Sequence, residues 1–323
     1  MIFIRTFKTT DKHIWDTFVQ SSRNATFLFE RSFMDYHSDR FCDASLLVHD
    51  DKQRLRALFP ATWHEDDKEI RSHGGLTYGG LVLGQCVGVI ETCVIVNAVV
   101  QFYREKYEAN RIIVSPVPSI YHDRPADDQI FALYRCGARL FKRYVSTTIP
   151  LDKAIVLSTN RKRQVKKALK QGFSVKSYSS NVDSFWSLLA ATLSERHNVH
   201  PVHSLEELQL LIARFPDNIS LHLVEDTQGA LVGGTLLFHT PRVVHAQYIA
   251  ASSIGRKFGA LDLLFITLFE QLQARPLSEQ PRYFDFGTSM ENEGTEINAG
   301  LVAQKESFGG HTICYDKYVL QLS

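Results

Sequence analysis

Residues 284–310 read FDFGTSMENEGTEINAGLVAQKESFGG. An apolar, strand-like run stops at Gly287, a loop carrying Glu291, Glu293 and Glu296 follows, and a segment with helical spacing from Gly300 carries Lys305 and Glu306. Asp285, inside the apolar run, is expected to pair with an arginine or lysine or to be solvated at a strand edge. A strand ending in carboxylates and followed at once by a lysine-bearing helix gathers both signs of charge at one end of a sheet. Acids there suit the holding and deprotonation of an amine, and the lysine suits neutralisation of developing negative charge. Crowded carboxylates also raise the pKa of at least one of them, which suits a base working near neutrality.

Working outward, the strand is one of ten elements in the second half. A strand over 173–179 is followed by a helix from about Asn181, and a second helix over 204–215 has Ser204, Glu206 and Glu207 in its first turn. Three strands follow in ISLHLVED, ALVGGTLLFHT and VVHAQYIAAS, then the apolar helix FGALDLLFITLFEQLQA, the strand RYFDFG, the helix GLVAQKESFG and a final strand. The order is β-α-α-β-β-β-α-β-α-β. The first half repeats it from MIFIRTF to ARLFKRYVSTTIPL, with ERSFMDYHSD read as a helix and RLRALFPATWH and GLTYGGLVL as strands. The pattern predicts an α+β, layered α/β fold of two domains, 1–150 and 151–323, each a mixed central sheet flanked by helices. A basic helix over 158–171 leads into the second.

A chain of 323 residues suits two cores of ordinary size. Its 44% hydrophobic and 22% charged content fits a globular protein, and a net charge of +1 excludes a globally basic nucleic-acid binder. Arg5, Lys8 and Asp11 come too early for a signal-peptide core, and Gln85, Glu91 and Asn97 interrupt the longest apolar run, so no transmembrane segment is expected. Five cysteines without zinc spacing read as free buried thiols in the cytoplasm.

The element order, occurring twice, together with RHNVHPVHSLEEL, HAQYIAASSIGRKFGALDLL, FDFGTSMENEG and GLVAQKESFGG, resembles a tandem pair of GNAT acyltransferase domains of the Fem-type, FemAB-like family. The match is specific over roughly a third of the chain. The resemblance implies a phosphate-binding turn at Gly255, Arg256, Lys257, Gly259 and Ala260, whose backbone N–H groups would hold the pyrophosphate of coenzyme A. Leu261 departs from that pattern, standing where a small residue is usual. It further implies substrate contacts at Gln247, Tyr248, Asp285, Glu293 and Glu306, and catalytic roles for Glu291, Lys305, His197 and His203.

His197, His200 and His203 recur at threes, but Pro201 ends the stretch that would stack their rings on one face, so no metal site is expected. A histidine there would instead serve as proton acceptor beside the acceptor site. In the first half, the glycine-rich run SHGGLTYGGLVLG sits where a cofactor turn would be, but GQCVGV has no arginine or lysine to meet phosphate. That domain is read as having lost its cofactor, with His73 and Tyr78 lining a cleft shared with the second domain.

Between Lys153 and Asp183 there is no acid, while Arg161, Lys162, Arg163, Lys166 and Lys167 lie on a helix with Val165, Ala168 and Leu169 on its apolar side and Gly172 as its stop. This exterior suits a polyanion: transfer RNA, a nucleotide-linked sugar, or lipid headgroups at the inner face of a membrane.

The resulting expectation is transfer of an acyl group from acyl-coenzyme A, acetyl-coenzyme A foremost, to an amine on a sugar, peptide or cell-envelope precursor, with no covalent enzyme intermediate. Two alternatives stand beside it. One is aminoacyl transfer from charged transfer RNA to a peptidoglycan-type precursor, favoured by the basic helix and disfavoured by the lack of room for the helical hairpin some Fem-type enzymes insert. The other is a degenerate, non-catalytic binding module.

Overall fold

The structure, a computed structural model, describes residues 1–197 and 201–322; of residues 196, 197 and 293 only the backbone is described. The chain forms two compact units, Met1–Tyr144 with Cys314–Ser323, and Val145–Ile313. The 1–150 and 151–323 division therefore shifts in two places. The strand Arg139–Pro150 is shared out at residue 145, and the last strand, His311–Gln321, belongs to the first unit from Cys314 onward, where Tyr318–Gln321 pairs antiparallel with Arg111–Val114.

In the first unit, Ile2–Thr6, Leu46–Asp50, Leu55–Phe59 and Val82–Leu83 form a four-stranded antiparallel sheet. Glu69–Ser72 pairs parallel with Arg111–Val114 and antiparallel with Thr62–His64. The helix Val89–Lys106 buries Ile95, Val96, Val99 and Tyr103 against Leu46, Val48, Ala57 and Phe59. Several expectations fail here for local reasons. RLRALFPATWH is broken at Pro60, which lacks the N–H a continuing ladder needs. ERSFMDYHSD gives only a short helix, Arg31–Met34, and a 3₁₀ turn. GLTYGGLVL forms a strand only at Val82–Leu83, with one isolated bridge from Gly79 to Pro116, and the strand Glu69–Ser72 replaces the rest. None of the five cysteines is buried: Cys42, Cys86 and Cys314 are exposed and Cys93 and Cys136 half-buried.

In the second unit the strands run in the order 174–176, 219–225, 231–239, 243–251, 283–288 and 145–150. All neighbours are antiparallel except Val243–His245 with Tyr283–Asp285. That one parallel pair ends after three residues, so beyond it Ala246–Ala251 and Phe286–Thr288 are no longer paired to each other. The helix Ala260–Gln273 covers one face, and Phe265, Phe269, Phe284, Phe286 and Phe308 pack there, mostly edge to face but with Phe265 and Phe269 stacked; the Phe265 and Phe286 ring centroids are 4.9 Å apart. The helix Leu205–Arg214 begins with a reciprocal cap: Ser204 Oγ accepts from Glu207 N–H, and the Glu207 carboxylate accepts from Ser204 N–H. Among the described residues, no helix is long and apolar enough to cross a membrane.

Candidate functional site: a cavity where two strands part

The parting of strands 243–251 and 283–288 opens a cavity of about 530 Å³ within the second unit. Ala246, Gln247 and Ile249–Ala251 line one wall, and Phe286 and Thr288 the other. The helix Ala299–Glu306 adds Leu301, Gln304 and Lys305, and the helix Thr159–Lys170 adds Arg161 and Gln164. Gln247 owes its position to a bulge: Leu236 pairs with Tyr248 and Leu237 with Ala246, which leaves Gln247 as the extra residue.

Lys305 is only 5% exposed. Its Nζ donates to the carbonyl oxygens of Gly287 at 2.8 Å and Thr288 at 2.9 Å. Burial pushes its pKa down to about 8, opposed in part by the Asp285 carboxylate. An ammonium held on two carbonyls keeps a third N–H for a ligand, and a cation fixed in a partly dry site stabilises an oxyanion far better than one in water.

At the far wall the predicted phosphate turn is built differently from the expectation. Ser253–Phe258 is a helix of its own, capped by Ser252 Oγ, which takes the Gly255 N–H at 3.0 Å. Gly259, at φ +80°, then turns the chain into the helix Ala260–Gln273. Leu261 and Asp262, from the first turn of that helix, line the cavity with Gly255 and Arg256. Arg161 donates to the Asp262 carboxylate at 2.5 Å and lies 5.0 Å from the centre of the Phe308 ring. Burial raises the Asp262 pKa, and Arg161 pulls it back. These residues fit a diphosphate poorly. A glycine N–H of the turn is already taken, and a carboxylate occupies the helix start where an anion would bind. Lys257 is exposed and Ala260 fully buried, and neither lines the cavity.

Of the remaining predicted residues, Asp285 is fully buried and does not line the cavity. It accepts from Ser146 Oγ at 2.6 Å and the Gly287 N–H at 3.0 Å, lies 2.9 Å from His245 Nδ1, and its charge acts on Lys305. Glu291 is exposed on a small hairpin and accepts from Asn298 at 2.6 Å; Glu306 is exposed. His203 is buried, with Nδ1 2.6 Å from the Tyr248 hydroxyl. None of Glu291, Glu306, His203 or Tyr248 lines the cavity. The side chains of His197 and Glu293, and all of His200, lie outside the described residues. His73 and Tyr78 belong to the first unit and are buried there; burial, with His37 beside it, pushes His73 down to about 3, and the Tyr78 hydroxyl bonds Thr26.

The basic helix divides in two. Arg161 turns inward, and Lys167 reaches the Lys257 carbonyl at 2.6 Å and the Phe258 ring. Lys162, Arg163, Lys166 and Lys170 are exposed. Among the described residues, no three His, Cys, Asp or Glu side chains gather as a metal ion would require.

Residues 158–294 match the family model described as an acetyltransferase (GNAT) domain. Those residues make up most of the second unit, which has the GNAT fold. FemX shares its fold over 99% of this chain and 97% of its own, at 12% identity and a TM-score of 0.68. L-PGS from Bacillus licheniformis follows over 98% and 92%, at 11% and 0.62. A tandem GNAT protein from the clavulanic acid biosynthesis pathway matches over 100% and 99%, at 11% and 0.56. The whole chain thus has the tandem GNAT, FemAB-like fold, and the cavity lies where the GNAT sheet splays. No curated protein matches the sequence.

Sequence reasoning missed Thr288, Gln304, His245 and Ser146. His245 carried a signal: a polar residue inside an apolar strand, like Asp285, and the two face each other in register.

Proposed function

We propose that the GNAT domain moves an acyl group from an ester or thioester carrier to an amine, inside the cavity where strands 243–251 and 283–288 part. The observation that carries this reading is Lys305, anchored on the Gly287 and Thr288 carbonyls at the cavity wall. As the amine attacks the acyl carbon, the carbonyl oxygen gains negative charge, and the third N–H of Lys305 meets it. Collapse expels the carrier's alkoxide or thiolate, which takes up the proton that the amine gives away. Lys305 thus lowers the barrier without forming a covalent bond.

The Arg161–Asp262 ion pair favours a carrier other than coenzyme A, because it sets a carboxylate at the turn where a diphosphate would sit. The exposed Lys162, Arg163, Lys166 and Lys170 favour a polyanion outside the cavity, so charged transfer RNA becomes the preferred donor. Acyl-coenzyme A is the second reading, supported by Arg256 at the cavity and by the acetyltransferase model match. The acceptor is an amine on a small molecule or envelope precursor.

Binding of charged transfer RNA, acetyl-coenzyme A and anionic vesicles to the full chain, each across a salt series, separates these donors and docks. Salt-sensitive transfer RNA binding that is lost in the triple variant Lys162→Glu, Arg163→Glu, Lys166→Glu supports the preferred donor. Saturable acetyl-coenzyme A binding, or binding to vesicles alone, overturns it.

A further inference from the structure

Asp285 touches the cavity only through other groups, yet the Gly287 peptide on which Lys305 is anchored is itself bonded to it. Phe284 and Phe286 point into the apolar core, so Asp285 between them lies on the opposite face of the strand. We propose that Asp285 is a positioning residue for Lys305, holding in place the Gly287–Thr288 turn on which the ammonium hangs. The bearing on rate rests on the acyl-transfer reading; the geometry does not.

One carboxylate oxygen accepts from Ser146 Oγ and from the Gly287 N–H, and the other faces His245 Nδ1. Gly287 sits at φ +73°, so its peptide is turned out of the strand and its N–H and C=O serve different partners. The N–H is fixed by Asp285, and the C=O, with that of Thr288, accepts from Lys305. Pairing skips from Asp285–Thr148 to Thr288–Ser146, so the turn is an interruption clamped at both ends by strand 145–150. Ser146 therefore binds this turn twice, through its backbone and through the Asp285 carboxylate.

The carboxylate acts on Lys305 in two ways: it sets the direction of the carbonyls and supplies a negative charge behind them. Among the described residues, the other titratable or charged groups placed around Lys305 are His245 beside Asp285, and Arg161, Asp262 and Arg256 on the walls of the same cavity. Glu291, on the hairpin after the strand, is bonded to Asn298.

The test reads Lys305 directly, by competitive acetic anhydride labelling of the full chain across pH with mass spectrometry of the Lys305 peptide. In Asp285→Asn, which keeps the shape and removes the charge, the labelling midpoint should fall by roughly one pKa unit and the rate at pH 7 should rise several-fold. Ser146→Ala, which removes one hydrogen bond and no charge, should leave the midpoint near its original value. If Asp285→Asn does not fold, the unsubstituted protein still decides. The Gly287 amide resonance should shift with the same midpoint as Lys305, and a Gly287 amide that ignores that titration overturns the proposal. An unmoved midpoint in folded Asp285→Asn overturns it as well. Active Lys305→Ala protein alongside a shifted midpoint would remove only the acyl-transfer role.

Discussion

The Arg161 guanidinium closes on the Asp262 carboxylate at 2.5 Å, joining the basic helix to the first turn of the helix that follows the GNAT turn. Both side chains are largely buried, so neither charge is easily left alone. Arg161→Met should destabilise the protein by roughly 3 kcal/mol, and Arg161→Met with Asp262→Asn should recover most of that loss. Urea unfolding of the three proteins checks this; a double variant no more stable than Arg161→Met alone would contradict it.

Lys305→Ala should lower the transfer rate by about 10²–10³ with little change in donor affinity, as loss of an oxyanion donor does. Because burial sets its pKa near 8, the rate should fall as pH rises through that value and the ammonium is lost. A rate that climbs through the same pH would make Lys305 a base instead.

Much of the second unit's element order was legible beforehand, and less of the site. The order of elements in the second half, the basic helix with Gly172 as its stop at φ +74°, and Lys305 on a helix after a carboxylate-rich loop all follow from periodicity and turn chemistry. The carboxylates were harder to place, because sequence gives their proximity along the chain and not the face on which each lands. Glu291 went to a surface hairpin, while Asp285 was buried by strand alternation. The Arg161–Asp262 pair joins residues far apart in sequence on two helices, and no local pattern encodes such a meeting.

The turn itself should tolerate little. A methyl group on Gly255 would come within 1.9 Å of the Val232 carbonyl oxygen, which is backbone and cannot swing aside. Gly255→Ala should therefore cost on the order of 2–4 kcal/mol, well beyond the loss of a glycine's freedom alone. A thermal midpoint within a degree of the original would contradict that packing.

Acid should weaken the fold before most carboxylates titrate. Burial, with charged neighbours, depresses His73 to about 3 and both His222 and His239 to about 4. An unfolded chain takes up these protons near pH 6.5, so stability is full above that value and erodes as pH falls towards 4. The loss between pH 7 and 5 should be on the order of a few kcal/mol. Asp11, held below the usual carboxylate range by Arg5, stays ionised in that window. Unchanged stability between pH 7 and 5 would mean these histidines are protonated in the folded protein.

The most direct test of acyl transfer in this cavity is release of a labelled acyl group from charged transfer RNA to a simple primary amine, comparing the full chain with Lys305→Ala at pH 7. The account predicts amine-dependent release that the substitution reduces at least about a hundredfold. Release that is absent from both proteins, or equal in both, would contradict it.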